Sequence, residues 1–324
     1  MKLNRRHMLH LAGATLAGTA IPGFATAQTY PARPVRLLVG NAAGGGPDIS
    51  ARLMAQWLTD RLGQPFVVEN RPGAGGNLAT ETVVNAPADG YTLLLVMLSN
   101  AVNVSLYAKL PFDFMRDIAP VASINRDALF MLVPPSFPAK TVPEFIAHAK
   151  ANPGKLSLAS PGPGTAPHIA GEMFKMMAGI DMVHVPYRGG GQALTDLIAG
   201  QVHVYFGGLP VSIEHIKAGR LRALAMTGAT RSDAMPDVPT MKDFLPGYEA
   251  SNWFGIGAPR GTPAEIITAL NKEINAALAD PELKSRFAAL GSTPFIGSAD
   301  DFRQHIASEV EKWAKVVKFA GIKA

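Results

Sequence analysis

Four short stretches of this 324-residue chain set glycines at the start of a helical pattern: Ala43-Gly44-Gly45-Gly46-Pro47-Asp48, Gly73-Ala74-Gly75-Gly76-Asn77, Ser160-Pro161-Gly162-Pro163-Gly164-Thr165 and Arg188-Gly189-Gly190-Gly191-Gln192. Glycine reaches positive φ without strain and lets a ligand approach the main chain closely. A helix that begins at such a turn points unpaired N–H groups, with the positive end of its dipole, at whatever occupies the turn. The chemistry on offer is recognition of an anion by backbone. Any one turn also serves as an ordinary strand-to-helix connection; four in one chain point to a binding site. Two side chains sit at these helix starts. His168 reads first as a capping or partly buried histidine and second as a ligand contact. Asp48 reads first as a helix cap and second as a partner for an amino or hydroxyl group.

Other chemistries are excluded by spacing. No turn carries the Lys-Ser/Thr of a phosphate-binding P-loop, and Gly162-Pro163-Gly164 is followed by Thr165, Ala166 and Pro167 rather than by the third glycine of a dinucleotide fingerprint. Neither a G-x-S-x-G elbow nor an H-E-x-x-H zinc motif occurs. The chain has no cysteine, so thiolate catalysis, disulfides and cysteine metal sites are absent. One enzymatic alternative stays open: His168 and Glu172 lie four apart on one helix face, a spacing open to acid–base work. No cofactor is implied.

These turns need elements to hold them. Short apolar runs at Val35–Val39, Phe66–Glu69, Tyr91–Leu98, Leu129–Val133, Leu156–Ala159, Met182–Val185, Val202–Phe206 and Leu221–Met226 alternate with helical patterns. Ile49, Leu53, Trp57 and Leu58 share one helix face, as do Phe145, Ile146 and Ala149, then Ile169, Met173 and Met176. That succession predicts an α/β protein with mainly parallel sheets covered by helices on both faces. Pro263–Ala279 and Asp300–Phe319 read as long helices packing across the first domain. The length suits two domains, and 48% hydrophobic with 17% charged residues excludes disorder.

Residues 1–27 are a different text. Lys2, Arg5 and Arg6 precede an apolar run from Met8 to Ile21, and Ala25-Thr26-Ala27 suits cleavage, which predicts an export signal. Arg5-Arg6 resembles a twin-arginine export motif, with a general secretory signal as the alternative. The three basic residues of this segment, taken from the formal net charge of +5, leave +2. With no basic cluster bearing interleaved aromatics, nucleic acid is discounted as a partner.

Seven ordered strings, "NRPGAGGN", "PADGYTLLL", "GPGTAPHIAGEMF", "HVPYRGGGQALTDLIAGQV", "HIKAGRLRALAMTG", "RSDAMPDVPTM" and "APRGTPAEIITALN", resemble the signatures of the Bug family, the periplasmic solute-binding proteins of tripartite tricarboxylate transporters. The resemblance implies a two-domain type II periplasmic binding protein of Venus-flytrap form. It implies an export signal (1–27), a discontinuous first domain (28–126 and 254–324) and a second domain (127–253). It further implies a monomer that grips a small carboxylate largely by main chain and delivers it to a membrane permease; docking on a membrane sensor kinase is the alternative. Carried onto this sequence, the site would comprise Asn41, Ala43, Gly44, Gly45, Asp48, Gly75, Gly76 and Asn77 from the first domain. The second domain would add Ser160, Gly164, Thr165, His168 and Arg188, the last in a carboxylate or cleft-edge role. Closure would turn about crossings near Asn125–Ala128 and Asn252–Gly255. The chain departs from the family in Gly40-Asn41, where Pro-Phe is common, and at His203 and Gly207, where aspartates are common.

Overall fold

The computed structural model describes residues 30–232 and 234–323. The expected export signal lies outside the described residues, and among them no helix is long and apolar enough to cross a membrane.

The chain opens with β1 (Val35–Val39), α1 (Gly46–Leu62), β2 (Phe66–Asn70), α2 (Asn77–Val84), β3 (Thr92–Met97), α3 (Leu98–Leu106), α4 (Phe114–Asp117) and β4 (Ile118–Asp127). A second set follows: β5 (Leu129–Val133), α5 (Val142–Ala151), β6 (Ser157–Ser160), α6 (Ala166–Ala178), β7 (Val183–Pro186), α7 (Gly190–Ile198), β8 (Val204–Gly208), α8 (Leu209–Lys217) and β9 (Arg222–Met226). The chain then returns through β10 (Asn252–Pro259), α9 (Ala264–Ala279), α10 (Pro281–Ala289), β11 (Ser292–Pro294) and α11 (Ala299–Ala320). Two sheets result, one ordered β11-β4-β10-β3-β1-β2 and one β7-β6-β8-β5-β9. The fold is α/β with two sheets flanked by helices.

Both sheets are mixed rather than mainly parallel. β1 pairs in parallel with β2 and β3, and β6 with β7 and β8. The strands next to the passage between the sheets run the other way: β10 is antiparallel to β3 and β4, and β5 to β8 and β9. The reversal follows from the route, because a strand that arrives from the other sheet enters from the opposite end. The same ladders bear on the expected crossings near Asn125–Ala128 and Asn252–Gly255: the first span includes the passage at Ala128, whereas the second lies inside the six-stranded sheet. Asn252 pairs with Asp127, Trp253 with Arg126 and Phe254 with Asn125. The segments that pass between sheets are Ala128 and residues 227–251.

Burial follows strand alternation. Val35, Leu37 and Val39 face a core with Met54, Leu58 and Ile274, whereas Leu38 faces the opposite side. On α1 the buried stripe is Ala51, Met54, Ala55 and Leu58, with Ile49, Leu53 and Trp57 only half-buried. The second core continues from Leu94 and Val96 through Trp313 of α11 to Leu158 and Phe174 beside the other sheet. The long C-terminal helix is thus shared: α11 packs against β4 and α3 and also against α6. Its buried Glu309 accepts hydrogen bonds from Trp253 Nε1 (2.9 Å) and Trp313 Nε1 (2.8 Å). Without that carboxylate both buried indole N–H groups lose a partner, at about 1–3 kcal/mol each.

Candidate functional site

The four turns form one connected series. The first and second touch at Gly40 and Gly76: a Cβ on Gly40 would lie 2.7 Å from Gly76 Cα. Asn70 Nδ2 also donates to Asn41 O at 3.0 Å. The second turn needs glycine three times, at φ values of 136°, 64° and 92° for Gly73, Gly75 and Gly76. Its floor is α3, whose buried Asn103 donates through Nδ2 to Gly75 O (3.0 Å) and Asn77 Oδ1 (2.9 Å). The third turn reaches the same helix from the other sheet. A Cβ on Gly164 would lie 2.6 Å from Leu106 Cδ2 and 3.9 Å from Asn103 Oδ1. The fourth turn adjoins the third, a Cβ on Gly190 falling 2.9 Å from Tyr205 Oη and 3.8 Å from Pro161 Cγ.

Not every glycine amide in these turns is free. Gly44 N–H donates to Asp48 Oδ2 at 2.8 Å, and Gly164 N–H donates to His168 Nδ1 at 3.1 Å. Among the described residues the N–H groups of Ala43, Gly45 and Gly189 have no backbone or side-chain partner. Asn77, at the first position of α2, is buried and its Nδ2 has no partner there either.

Asp48 is the third residue of α1 and a local support. Burial pushes its carboxyl up, but the hydrogen bonds from Arg52, Gly44 and Asn70 and the Arg52 charge outweigh that and hold it below the usual carboxylate range. His168 is likewise the third residue of α6. Accepting at Nδ1 fixes its proton on Nε2, which faces Glu172 Oε1 at 3.7 Å. Burial pushes His168 down to about 3, helped by the neighbouring His184 and Lys175. Its ring stacks on His184 with centroids 3.8 Å apart, and His184 Nε2 lies 2.6 Å from Ser160 Oγ. Burial pushes His184 down to about 4. Burial also raises Glu172, and Lys175 Nζ stands 3.0 Å from its Oε2. The His168–Glu172 pair is therefore a buried support: the imidazole is neutral with its acceptor nitrogen already used, and the carboxyl group faces Lys175. Among the described residues no group of three metal-ligating side chains forms.

Residues 50–322 match the tripartite tricarboxylate transporter family receptor. The chain belongs to this receptor family. Protein BugT of Bordetella pertussis is 39% identical, the alignment covering 99% of each chain. Two solved relatives carry acids in their descriptions. Rpa4515 of R. palustris with adipate superposes at a TM-score of 0.81 with 37% identity, over 91% of this chain and 99% of that one. MatC from Rhodopseudomonas palustris with bound malate superposes at 0.77 with 31% identity, over 89% and 100%. The family consists of periplasmic solute-binding receptors and not of enzymes, as the resemblance implies.

The positions where the resemblance implies departures from the family pattern are packed as follows. Gly40 has no room for a side chain against Gly76, and a Cβ on Gly207 would meet Ser212 Oγ at 2.8 Å and Leu132 Cδ1 at 2.9 Å. His203 immediately precedes β8, its Nδ1 accepting from Ser157 N at 3.0 Å. Arg188 is exposed and forms no ion pair among the described residues. Thr165 Oγ1 donates back to Gly162 O at 2.7 Å. Asn103, His184 and Tyr205 escaped the sequence reading. Asn103 left a usable trace: it and Asn100 are two amides three apart in an apolar run, a pattern that asks for buried hydrogen-bond partners.

Proposed function

We propose that this receptor is a periplasmic protein that closes on a small organic carboxylate between its two domains and presents it to the membrane subunits of a tripartite tricarboxylate-type transporter. The observation that carries the reading is the buried, partnerless Asn77 Nδ2 at the point where the second turn, α3 and the third turn come together. A buried donor without an acceptor costs about 1–3 kcal/mol, and an incoming carboxylate oxygen removes that cost. The open N–H groups of Ala43, Gly45 and Gly189 supply further donors at helix starts. Solved relatives described with adipate and malate support a carboxylate as the ligand. Asn41, Ala43, Gly44, Gly45, Gly75, Gly76 and Asn77 act from the first side and Ser160, Gly164, Thr165, His168 and Arg188 from the second, with Asp48, Gly44, Gly164 and His168 shaping turns rather than touching ligand.

The domains are taken as 28–126 with 254–324, and 127–253. Sheet pairing favours giving Asp127, Asn252 and Trp253 to the first. A ligand that contacts both domains shifts the protein toward its closed form, which the permease then reads. The N-terminal segment directs export and the mature protein acts as a monomer.

A thermal-shift screen tests this reading. Adipate, malate and citrate are expected to raise the melting temperature, because a ligand that binds only the folded state stabilises it. Glucose should not. Asn77→Ala should weaken the best acid by about tenfold, roughly 1.4 kcal/mol. A response to glucose with none to any acid overturns the reading.

A further inference from the structure

One cavity among the described residues lies away from the four turns. It has a volume of about 690 Å³, and its wall includes Arg126, Phe130, Thr230, Arg231, Ser292 and Phe295. Arg126 and Ser292 sit in the six-stranded sheet, where Arg126 pairs with Trp253 on one side and Thr293 on the other. Phe130 belongs to the five-stranded sheet, and Thr230 and Arg231 to the returning segment. The cavity therefore straddles both passages of the chain, on the β11 and β9 edges, whereas the turns follow β1, β2, β6 and β7.

Arg126 is the unresolved element. Its guanidinium carbon stands 3.7 Å from the centroid of Phe295, and its Nε is buried with no hydrogen-bond partner among the described residues. The neighbouring carboxylate is committed elsewhere: Asp127 Oδ1 accepts from Ser292 Oγ at 2.5 Å and from Asn125 Nδ2 at 2.7 Å. Glu249 also lines the cavity, yet forms no ion pair with either arginine. Arg231 approaches Asp243 only at 3.9 Å and stays largely exposed. A planar cation with an open donor, an aromatic wall and room for a small molecule is the chemistry of an acid carrying an apolar body.

The geometry points to a second binding site in this cavity, for a small organic anion with an apolar body, anchored by Arg126 and flanked by Phe130 and Phe295. The acid group pairs with the Arg126 guanidinium and the apolar body lies along the two rings. This site stands or falls independently of ligand binding at the turns.

Calorimetric titration of benzoate into the full chain tests it. Saturable one-site binding is expected at a Kd of about 1 mM or below, with none for the neutral benzyl alcohol. Arg126→Met should weaken benzoate at least tenfold. Thr230→Trp, which fills the cavity from an exposed loop and leaves Arg126 in place, should do the same, so a folding defect in the first variant leaves the test intact. Excess malate, whose body is short and polar, should leave benzoate binding unchanged. No saturable heat up to about 10 mM, displacement by malate, or undiminished binding in Thr230→Trp each overturns the proposal.

Discussion

The first and third turns are built to one plan and neutralised differently. Gly44-Gly45-Gly46-Pro47-Asp48 and Gly164-Thr165-Ala166-Pro167-His168 share a register: a left-handed glycine (φ 82° and 73°), an extended cap residue, proline at the second helical position, and an acceptor at the third that takes the glycine N–H. At the first turn the acceptor is a carboxylate balanced by Arg52 at 3.0 Å. At the third it is an imidazole kept neutral by burial and by its stack on His184. One backbone device can thus be fixed by charge pairing near solvent or by desolvation in a core. The consequence for function is asymmetric, since the acceptor beneath the glycine is an ionised carboxylate at the first turn and a neutral imidazole at the third.

The largest expected effect separates the two glycines. Gly164→Ala combines left-handed strain with a Cβ 2.6 Å from Leu106 Cδ2, and should cost about 3 kcal/mol. Gly44→Ala meets nothing within 4 Å and should cost only the strain, about 1 kcal/mol. Urea unfolding of both variants measures this, and equal costs would break the claim that the third turn is the one locked against α3.

The second effect is a pH window. Folded His168 resists protonation down to about 3, while the unfolded chain takes up that proton near 6.5. Its contribution to stability is therefore whole above about 6.5 and lost as pH falls toward 3. His168→Asn, which keeps an acceptor for Gly164 N–H, should flatten that fall by up to about 2 kcal/mol. His184, held down to about 4, keeps its own share. Glu172, raised by burial, works in the opposite sense and loses stability as pH rises past the carboxylate range. Denaturation midpoints of wild type and variant across this range would have to run parallel for the account to fail.

The smallest effect is at Asp48. Asp48→Asn keeps the acceptor but removes the pairing with a half-exposed Arg52, at about 0.5–1 kcal/mol. Because the folded carboxyl is depressed, the difference should persist above the carboxylate range and vanish in acid. A difference that instead fades between 6.5 and 5 would erase the distinction between the two turns.

Legibility from sequence tracked how local the signal was. Val35–Val39 and Leu129–Val133 are strands with the bounds their apolar runs predict, and the four glycine turns stand where expected. β4 and β10 were invisible as strands because Pro120, Gly255 and Gly257 interrupt them, and glycine and proline read as breakers. The glycines have a packing reason: a Cβ on Gly255 would lie 2.2 Å from Phe302 Cζ of α11, and one on Gly257 2.6 Å from Ile118 Cγ2. Asn103 of α3, on which turns from both sheets converge, shares no local pattern with either turn. The membership in the receptor family was legible because ordered strings span the mature chain, and the match to residues 50–322 bears it out.

By itself the sequence determined the α/β class, the turns and the family, since strand runs, left-handed glycines and helix starts are set by a residue and its near neighbours. Only the tertiary structure decided which amides stay open. Whether Gly44 or Gly164 can offer its N–H depends on a side chain folded back four residues on, and whether Asn77 is partnered depends on what α3 brings from 26 residues away. Hydrogen-bond vacancy is a property of the packed whole, because a donor is free only after every neighbour has taken its place.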